Sequence, residues 1–423
     1  MDHKTLFEKT SPTKLFFTVT IPGVIGMFVS SVYRLADAAF VGQLLGQDAF
    51  AALNLVMPLV ILNFSIADLI GVGSSVPIAI RLGEKDEKAA SNIFSSACLL
   101  IIGLGVLLGG ALFLLAEDFV RLMGAEEELV QMAAQYLRVY ALFSPVNTIV
   151  FAVDNYLRIC GKVRYSLFVN LLMSLISVAL EVLFLFVFHF GIWGAALANC
   201  IGMSVCAVIA FMPFLRKKTQ LRFRTPKIEA KTMGSILTNG APSFLNNVAG
   251  RITSIIINVF LLRLGGTIAV AAYGVLMYAE DLLMPVLYGL CDSLQPAVGY
   301  NYGAKNYGRI KSLEMRCFGA CALLSLGATA AMLFASNAIA GIFVQSNDAA
   351  LLALSTHALS LFAYAFLTRW VSVATQSYLS AIGKAGYATA VSISIAFVFP
   401  VAALFALQFL GLDGLWLNMP VAS

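Results

Sequence analysis

Charged residues are scarce in this chain of 423 residues: 27 are basic and 22 are acidic, so only 12% of the sequence carries charge. A soluble globular domain carries about 25% charged residues. Hydrophobic residues make up 60% of the chain, and its mean hydropathy is +0.89. This composition excludes a soluble enzyme, a nucleic-acid-binding protein and a disordered scaffold. The net charge of +5 therefore concerns how charges are distributed among loops, not binding to a nucleic acid.

Motifs for nucleotide and metal chemistry are also missing. There is no G-x-x-x-x-G-K-[ST] run and no H-E-x-x-H run, and no polar segment is long enough for a nucleotide-binding domain. These absences argue against ATP-driven transport by this chain and against a cofactor. The seven cysteines contain no C-x-x-C pair and mostly fall in apolar runs, which predicts core thiols rather than disulfides or metal ligands.

Long apolar runs between polar breaks predict a multi-pass membrane protein, because a bilayer-crossing helix needs about 20 mainly apolar residues. Backbone groups must be satisfied within lipid, so each run is expected to be helical. The predicted spans are 14–42, 49–82, 90–116, 128–160, 164–190, 192–215, 233–263, 268–302, 309–336, 348–382 and 386–410. A twelfth run begins near Asp413, and we expect this helix to be incomplete in the sequence given.

The distribution of Lys and Arg predicts the orientation. With the N-terminus in the cytoplasm, 21 of the 27 basic residues fall in cytoplasmic segments, and only Arg121 and Arg263 fall in outer loops. The remaining four lie within spans: Arg34, Arg138, Arg251 and Arg369. Such a bias is a strong positive-inside signal, and it predicts a plasma-membrane protein with a cytoplasmic N-terminus.

An internal duplication is visible at a shift of about 220 residues. LGQDAFAAL (45–53) aligns with LGGTIAVAAY (264–273), and NYLRICGKVRY (155–165) aligns with SYLSAIGKAGY (377–387). Six spans per repeat make the repeats parallel. The predicted fold is all-α with two six-helix lobes, 1–215 and 232–423, joined by a basic cytoplasmic linker at 216–231.

Ionisable residues inside spans are costly in lipid and usually face a cavity or a partner. Asp37 should lie about 34 Å along span 1, and Glu181 about 25 Å along span 5, so both are expected in the outer half of the first lobe. Asp37 is either part of a cation or proton site or the structural ion-pair partner of Arg34, three residues earlier. The candidates for a substrate cleft are Asp68, Glu280, Asp281 and Asp292.

Several strings resemble the multidrug and toxic compound extrusion (MATE) family, nearest its MepA-like bacterial branch. They are Pro22 followed by DAAFVGQLLG (37–46), LRICGK (157–162), GIWGAALAN (191–199), QPAVGYNYGAKN (295–306) and LGLDGLW (410–416). The resemblance covers the whole chain. It implies twelve helices in two lobes, and export of organic cations driven by an H⁺ or Na⁺ gradient.

The resemblance also implies a cation-coupling site in the first lobe. Asp37 matches the family's acid in helix 1, Ser177 and Glu181 occupy the Asn-x-x-x-Asp pair of helix 5, and Asn199 occupies the threonine position of helix 6. All four side chains carry oxygen, but three differ in identity from the family pattern, so the coupling ion stays open, with Na⁺ an option at Asp37 and Glu181. Spans 7 and 10 hold no acid except the terminal Asp348, so we expect coupling through the first lobe alone.

The main interpretation is a monomeric secondary exporter of small organic cations. One alternative is a flippase for a lipid-linked oligosaccharide or cell-wall precursor, which would favour a more cationic cleft to hold pyrophosphate. The other is a membrane receptor or scaffold without transport, which poorly explains a duplication with several buried acids. Seven acids against four bases within the spans favour a cationic cargo.

Overall fold

The computed structural model describes residues 5–227, 229–344 and 348–423, without the side chains of Ala38, Ala39, Gly42, Gln43 and Gln47. Within these ranges the regular structure is helical throughout, with no strand, which confirms the all-α prediction.

The first half begins with a π-helical turn, Thr5–Lys9, and contains spans 1 to 6. Span 1 is Pro12–Leu45, span 2 is Gln47–Gly83, and span 3 is Glu87–Leu114, followed by the short helix Ala116–Leu122. Span 4 combines Glu127–Leu142 and Ser144–Ile159. Span 5 is Val163–Val182 with a π-helical extension, Leu183–Val187, and span 6 is Ile192–Leu215.

The second half repeats this order. Spans 7 and 8 lie in one helical segment, Ala230–Asp292, which is kinked at Gly266. Gln295–Gly303 extends span 8. Span 9 is Tyr307–Phe334, followed by Ser336–Phe343, and span 10 combines Ala349–Phe362 and Ala365–Ala381. Span 11 runs through Ala385–Ile393, Ser394–Val398, Phe399–Leu407 and Gln408–Leu410, and the short helices Leu412–Trp416 and Asn418–Ala422 follow it.

The number of crossings agrees with the sequence. Eight of the described helices are long and apolar enough to cross a membrane, and two bent pairs raise this number to ten. The longest of these segments, Ala230–Gly303, is broken at Gly266. Its two arms counted separately give the eleven spans that the apolar runs predict.

The fourth helix of each repeat is bent at the same place. The bend is 57° between Glu127–Leu142 and Ser144–Ile159, and 53° between Ala349–Phe362 and Ala365–Ala381. In the first repeat Pro145 follows the bend; it has no N–H to donate to the preceding turn, and its ring disfavours a straight helix there.

Left-handed backbone positions also recur in pairs. Gly46 (φ 89°) is matched by Gly266 (φ 66°), and Gly191 (φ 69°) by Gly411 (φ 66°). The remaining pairs are Lys85 with Lys305 and Gly161 with Gly383. Because members of each pair lie 220 or 222 residues apart, the two halves turn in the same way at the same places. These pairs confirm the predicted duplication.

The chain divides into two compact units that mix the two halves of the sequence. The first unit is Met1–Ser11, Ile25–Ala241 and Gly299–Asn306, and the second is Pro12–Val24, Pro242–Val298 and Tyr307–Ser423. The predicted lobes 1–215 and 232–423, with their linker 216–231, are a different division, and they stay a prediction.

Within the first unit, two equivalent glycines allow close backbone contact. A Cβ added to Gly83 would lie 2.0 Å from the Tyr300 carbonyl oxygen, and one added to Gly303 would lie 2.0 Å from the Ile80 carbonyl oxygen. The equivalent loops 83–85 and 303–305 therefore each pack against the turn that precedes the other. Neither Gly83 nor Gly303 has room for a side chain.

The basic linker is held against span 3 by hydrogen bonds to its backbone. Ser91 Oγ accepts from the Arg222 N–H at 3.1 Å, and Ser95 Oγ accepts from the Arg224 N–H at 2.9 Å. The side chain of Asn92 bonds both the N–H and the carbonyl oxygen of Lys227. The linker is thus part of the first unit's structure and not a loose tether.

Candidate functional site

Asp37 and Glu181 bring two carboxyl groups together inside the first unit. Asp37 comes from span 1 and is 8% exposed, and Glu181 comes from span 5 and is 1% exposed. Their side chains lie close enough to interact directly. Two neighbouring carboxylates in a low-dielectric site cannot both be ionised without a large cost, so this arrangement suits a shared proton or a bound cation.

Several buried oxygens of this pair and of the neighbouring residues on spans 1, 5 and 6 have no hydrogen-bond partner. Within the described residues they are both carboxyl oxygens of Glu181, Ser177 Oγ, Asn199 Oδ1 and Tyr33 Oη. The Tyr33 hydroxyl approaches Ser177 without completing a hydrogen bond. Buried polar atoms are nearly always paired, so a cluster of unpaired acceptors indicates a position that a proton or a cation occupies. Oxygen ligands of this kind suit hard cations.

Helix periodicity explains how spans 1 and 5 present these groups. Tyr33 and Asp37 lie four residues apart on span 1, and Ser177 and Glu181 lie four residues apart on span 5, so each pair shares one helix face. The π-helical segment Leu183–Val187 begins two residues after Glu181. Single π-helical turns inside helices often occur at functional sites.

Span 6 approaches span 5 through a glycine. A Cβ added to Gly202 would lie 2.2 Å from Ser177 Oγ, so the two helices meet closely there. Asn199 precedes Gly202 by three residues and shares its face, and spans 5 and 6 follow one another across a short turn. Asn199 therefore lies on the face of span 6 that packs against span 5. All four residues predicted for coupling, Asp37, Ser177, Glu181 and Asn199, fall in spans of one unit; their role in coupling stays a prediction.

Two further residues belong to this site but escaped prediction. Tyr33 lies one turn from Asp37, a spacing that could have identified it. Asn147 of span 4 donates from Nδ2 to Cys200 Sγ at 3.4 Å, and its Oδ1 is another buried oxygen without a partner. Nothing in the sequence separates Asn147 from other polar residues of span 4, because the bend of that helix determines where it points.

Arg34 was predicted as an ion-pair candidate for Asp37. Its Nη2 donates to Ser31 Oγ at 3.0 Å, three residues earlier, and the residue is exposed whereas Asp37 is buried. The structure thus gives Arg34 a contact on its own helix, and its pairing with Asp37 stays a prediction.

Glu280 and Asp292, two of the cleft candidates, are engaged within the second unit. Glu280 Oε1 lies 2.6 Å from Arg369 Nη2, with side chains only 13% and 15% exposed. Asp292 Oδ1 accepts hydrogen bonds from Gln295 Nε2 at 2.8 Å and from Ser377 Oγ at 3.0 Å. Both acids already have protein partners that stabilise their charge.

The other two cleft candidates differ in exposure. Asp281 is exposed, whereas its neighbour Glu280 is not, so the two adjacent acids point to different faces. Asp68 is partly buried in span 2. A substrate-binding role for Asp68, Glu280, Asp281 or Asp292 stays a prediction.

Asp154 of span 4 pairs with Arg158, four residues later on the same helix. Asp154 Oδ2 lies 2.7 Å from Arg158 Nη2, and its other oxygen accepts from Ser166 Oγ and from Asn170 Nδ2. This network joins span 4 to span 5 and is separate from the Asp37–Glu181 pair.

All seven cysteines are free and buried, which confirms that part of the sequence interpretation. The fold nevertheless brings Cys291, Cys317 and Cys321 together, with their sulfurs within 4.8 Å of one another. Sequence spacing could not show this cluster, because Cys291 belongs to span 8 and the other two belong to span 9.

Comparisons with known proteins agree with the fold. The MatE family model matches residues 22–183 and again 242–404, so the same model recognises both repeats. Multidrug export protein MepA of Staphylococcus aureus (strain NCTC 8325 / PS 47) is 24% identical over 390 residues, which cover 92% of this chain and 85% of the relative.

Two solved structures extend the comparison. An outward-facing multidrug resistance MATE family transporter of the MOP superfamily aligns with a TM-score of 0.93 and 24% identity, over 100% of this chain and 94% of that one. A MOP superfamily transporter from Pyrococcus furiosus Vc1 (DSM3638), described by a binding pocket of reverse polarity that suggests a different function, aligns with the same TM-score, identity and coverage. At this identity the likeness shows a shared fold.

Proposed function

The chain belongs to the MATE family of multidrug efflux transporters, and we propose that it exports small organic cations as a secondary active antiporter. The Asp37–Glu181 pair takes up H⁺ or Na⁺, and the ion gradient drives export. We expect the protein to act as a monomer in the plasma membrane, with its N-terminus in the cytoplasm and without a cofactor.

The observation that supports coupling most directly is the buried carboxyl pair with its unpaired oxygens. Asp37 and Glu181 are nearly inaccessible, and their side chains interact with each other. A proton or a sodium ion can supply the missing positive charge. Binding of that ion changes which conformation of the helices is favoured, and a cargo that prefers the other conformation is then released.

The proposed cargo follows from the balance of charge. A site with two neighbouring acids attracts cations and repels anions. In the second unit, the buried base Arg369 pairs with Glu280, which neutralises it. A flippase for a pyrophosphate-linked lipid needs an uncompensated basic surface, and the contacts described here do not favour one. The MepA relative is named a multidrug export protein, which agrees with this choice.

Dye efflux from cells that lack their own multidrug pumps tests the proposal. An ethidium-like cationic dye should be extruded, and an anionic dye of similar size should not. A protonophore abolishes export if H⁺ is the coupling ion, and a sodium ionophore abolishes it if Na⁺ is. Equal export of both dyes would contradict the cationic-cargo proposal, and export that survives both ionophores would contradict coupling.

Reconstituted vesicles separate transport from indirect effects in cells. An imposed pH step or an imposed Na⁺ step should drive uptake of the dye against its own gradient. Asp118→Asn is the matched control for variants of the Asp37–Glu181 pair, because Asp118 is an acid whose side chain is 72% exposed. Movement of a fluorescent lipid-linked sugar, without movement of the dye, would favour the flippase alternative.

A further inference from the structure

Three cysteine thiols meet inside the second unit. Cys291 lies near the end of span 8, and Cys317 and Cys321 lie one turn apart on span 9. Cys291 Sγ is 3.4 Å from Cys321 Sγ and 3.9 Å from Cys317 Sγ. All three residues are at most 2% exposed, and none is in a disulfide.

These distances suit three ligands of one metal ion. Thiolate sulfurs bind zinc at about 2.3 Å, and three sulfurs at that distance from a common centre lie about 3.8–4.0 Å from one another. The observed separations of 3.4 and 3.9 Å, with every pair within 4.8 Å, are close to this spacing. A disulfide needs about 2.05 Å between two sulfurs, so the present arrangement is one of three separate thiols.

The surroundings are acidic and polar. Glu314 precedes Cys317 by three residues on the same helix face, and it lines a narrow pocket together with Cys291, Cys317, Gln295 and Ser377. No basic residue lines this pocket. A carboxyl group thus lies beside two of the three sulfur ligands.

We propose that Cys291, Cys317 and Cys321 bind one soft metal ion, with Cu(I) the best fit. Thiolate ligands select Cu(I) and zinc over harder ions. A structural zinc site is almost always four-coordinate, whereas only three ligand atoms cluster here among the described residues. Cysteine binds metals as the thiolate, so the thiols that coordinate Cu(I) give up their protons to water as the ion binds. The bound ion ties span 8 to span 9 within the second unit.

Competition with a chromogenic Cu(I) chelator, on the reduced and anaerobic full-length protein, tests this site. The wild-type protein should retain one equivalent of Cu(I), and the Cys317→Ser and Cys321→Ser variants should lose it. The matched control is Cys206→Ser, because Cys206 is buried in span 6 and lies outside the cluster. X-ray absorption of the copper complex should show only sulfur neighbours, at a distance of about 2.3 Å.

Thermal unfolding separates loss of the site from loss of the fold. Cu(I) should raise the unfolding temperature of the wild type and of Cys206→Ser, but not that of a folded Cys317→Ala variant. Equal retention of Cu(I) by wild type and by the Cys317 variants would overturn the proposal. It would also be overturned if thiol counting on the denatured, metal-free protein found five thiols instead of seven, because a disulfide would then occupy the cluster.

Discussion

Glu280 and Arg369 form an ion pair in the second unit, with 2.6 Å between Oε1 and Nη2. In the first unit, Asp37 and Glu181 face each other. The Glu280–Arg369 pair and the Asp37–Glu181 pair thus differ in kind. Glu280 has an arginine as its counter-charge, whereas our proposal gives Asp37 and Glu181 an exchangeable ion. This difference predicts that the first unit carries the coupling.

Removing one member of the Glu280–Arg369 pair should destabilise the protein. Glu280→Gln leaves Arg369 buried without its counter-charge, and the expected loss of stability is about 3 kcal/mol, since breaking a buried pair typically costs about 3–5 kcal/mol. The double variant Glu280→Gln/Arg369→Gln should be more stable than either single variant. Thermal unfolding in detergent measures both effects.

The surface pair Arg81–Glu84 is a control for this measurement. Its side chains are 49% and 41% exposed, with 2.8 Å between the charged atoms. Arg81→Gln should therefore change stability by less than about 1 kcal/mol. Additive losses in the double variant of Glu280 and Arg369 would contradict a direct interaction between them.

Two glycines of span 3 should respond differently to alanine. A Cβ at Gly105 would lie 2.6 Å from Pro145 Cα, whereas a Cβ at Gly103 would have no atom within 4 Å. Gly105→Ala must push span 3 away from the bend of span 4, at a cost of about 1–3 kcal/mol for overpacking. Gly103→Ala should be neutral. Equal unfolding temperatures for the two variants would contradict this packing.

Labelling of single cysteines checks the predicted orientation. On a cysteine-free background, a cysteine at exposed Lys218 should react only after the membrane is opened, because the basic linker is expected in the cytoplasm. A cysteine at exposed Glu126, in the turn before span 4, should react from outside. Reaction of both with an impermeant reagent in intact cells would rule out this topology.

Much of the fold could be predicted from the sequence, because hydropathy and charge act over whole segments. The apolar runs gave the spans, and the shift of about 220 residues gave the repeat that the paired bends and left-handed turns confirm. Membership of the two compact units could not be read this way. Residues 299–306 belong to the first unit although they lie in the second repeat, and that placement depends on Gly83 and Gly303 contacts between distant segments.

The candidate site was predictable where helix spacing and residue type coincide. Asp37 and Glu181 stand out because an ionisable group within a membrane span is energetically costly and usually has a partner or a function. Asn147 and the three clustered cysteines do not stand out, because ordinary polar and small residues become a site only when separate spans bring them together. Glu280 was expected to face a cleft, but its partner Arg369 lies 89 positions away in the chain, and no local pattern joins them.

Neutralising Asp37 should uncouple transport. Asp37→Asn keeps the shape of the side chain but cannot carry the charge that a proton or sodium ion balances. We expect gradient-driven efflux to fall by at least about tenfold, since coupling between two sites typically changes affinity by about 5- to 150-fold. Membrane insertion and equilibrium dye binding should be largely retained. Efflux at the wild-type rate across the pH range would contradict the assignment.

Glu181→Gln and Arg34→Ala then distinguish a coupling site from a structural ion pair. If Asp37 and Glu181 share an exchangeable ion, Glu181→Gln reduces efflux as Asp37→Asn does, although more weakly because one carboxyl group remains. Arg34 is exposed and donates to Ser31, so its removal should leave expression intact and only shift the pH dependence of efflux through the change in local charge. The amount of protein in the membrane fraction, measured on gels, reports expression. The pH profile of efflux in vesicles reports the coupling. Loss of expression in Arg34→Ala, together with normal efflux in Glu181→Gln, would assign Asp37 to a structural pair with Arg34 and remove the first unit's acids from the coupling mechanism.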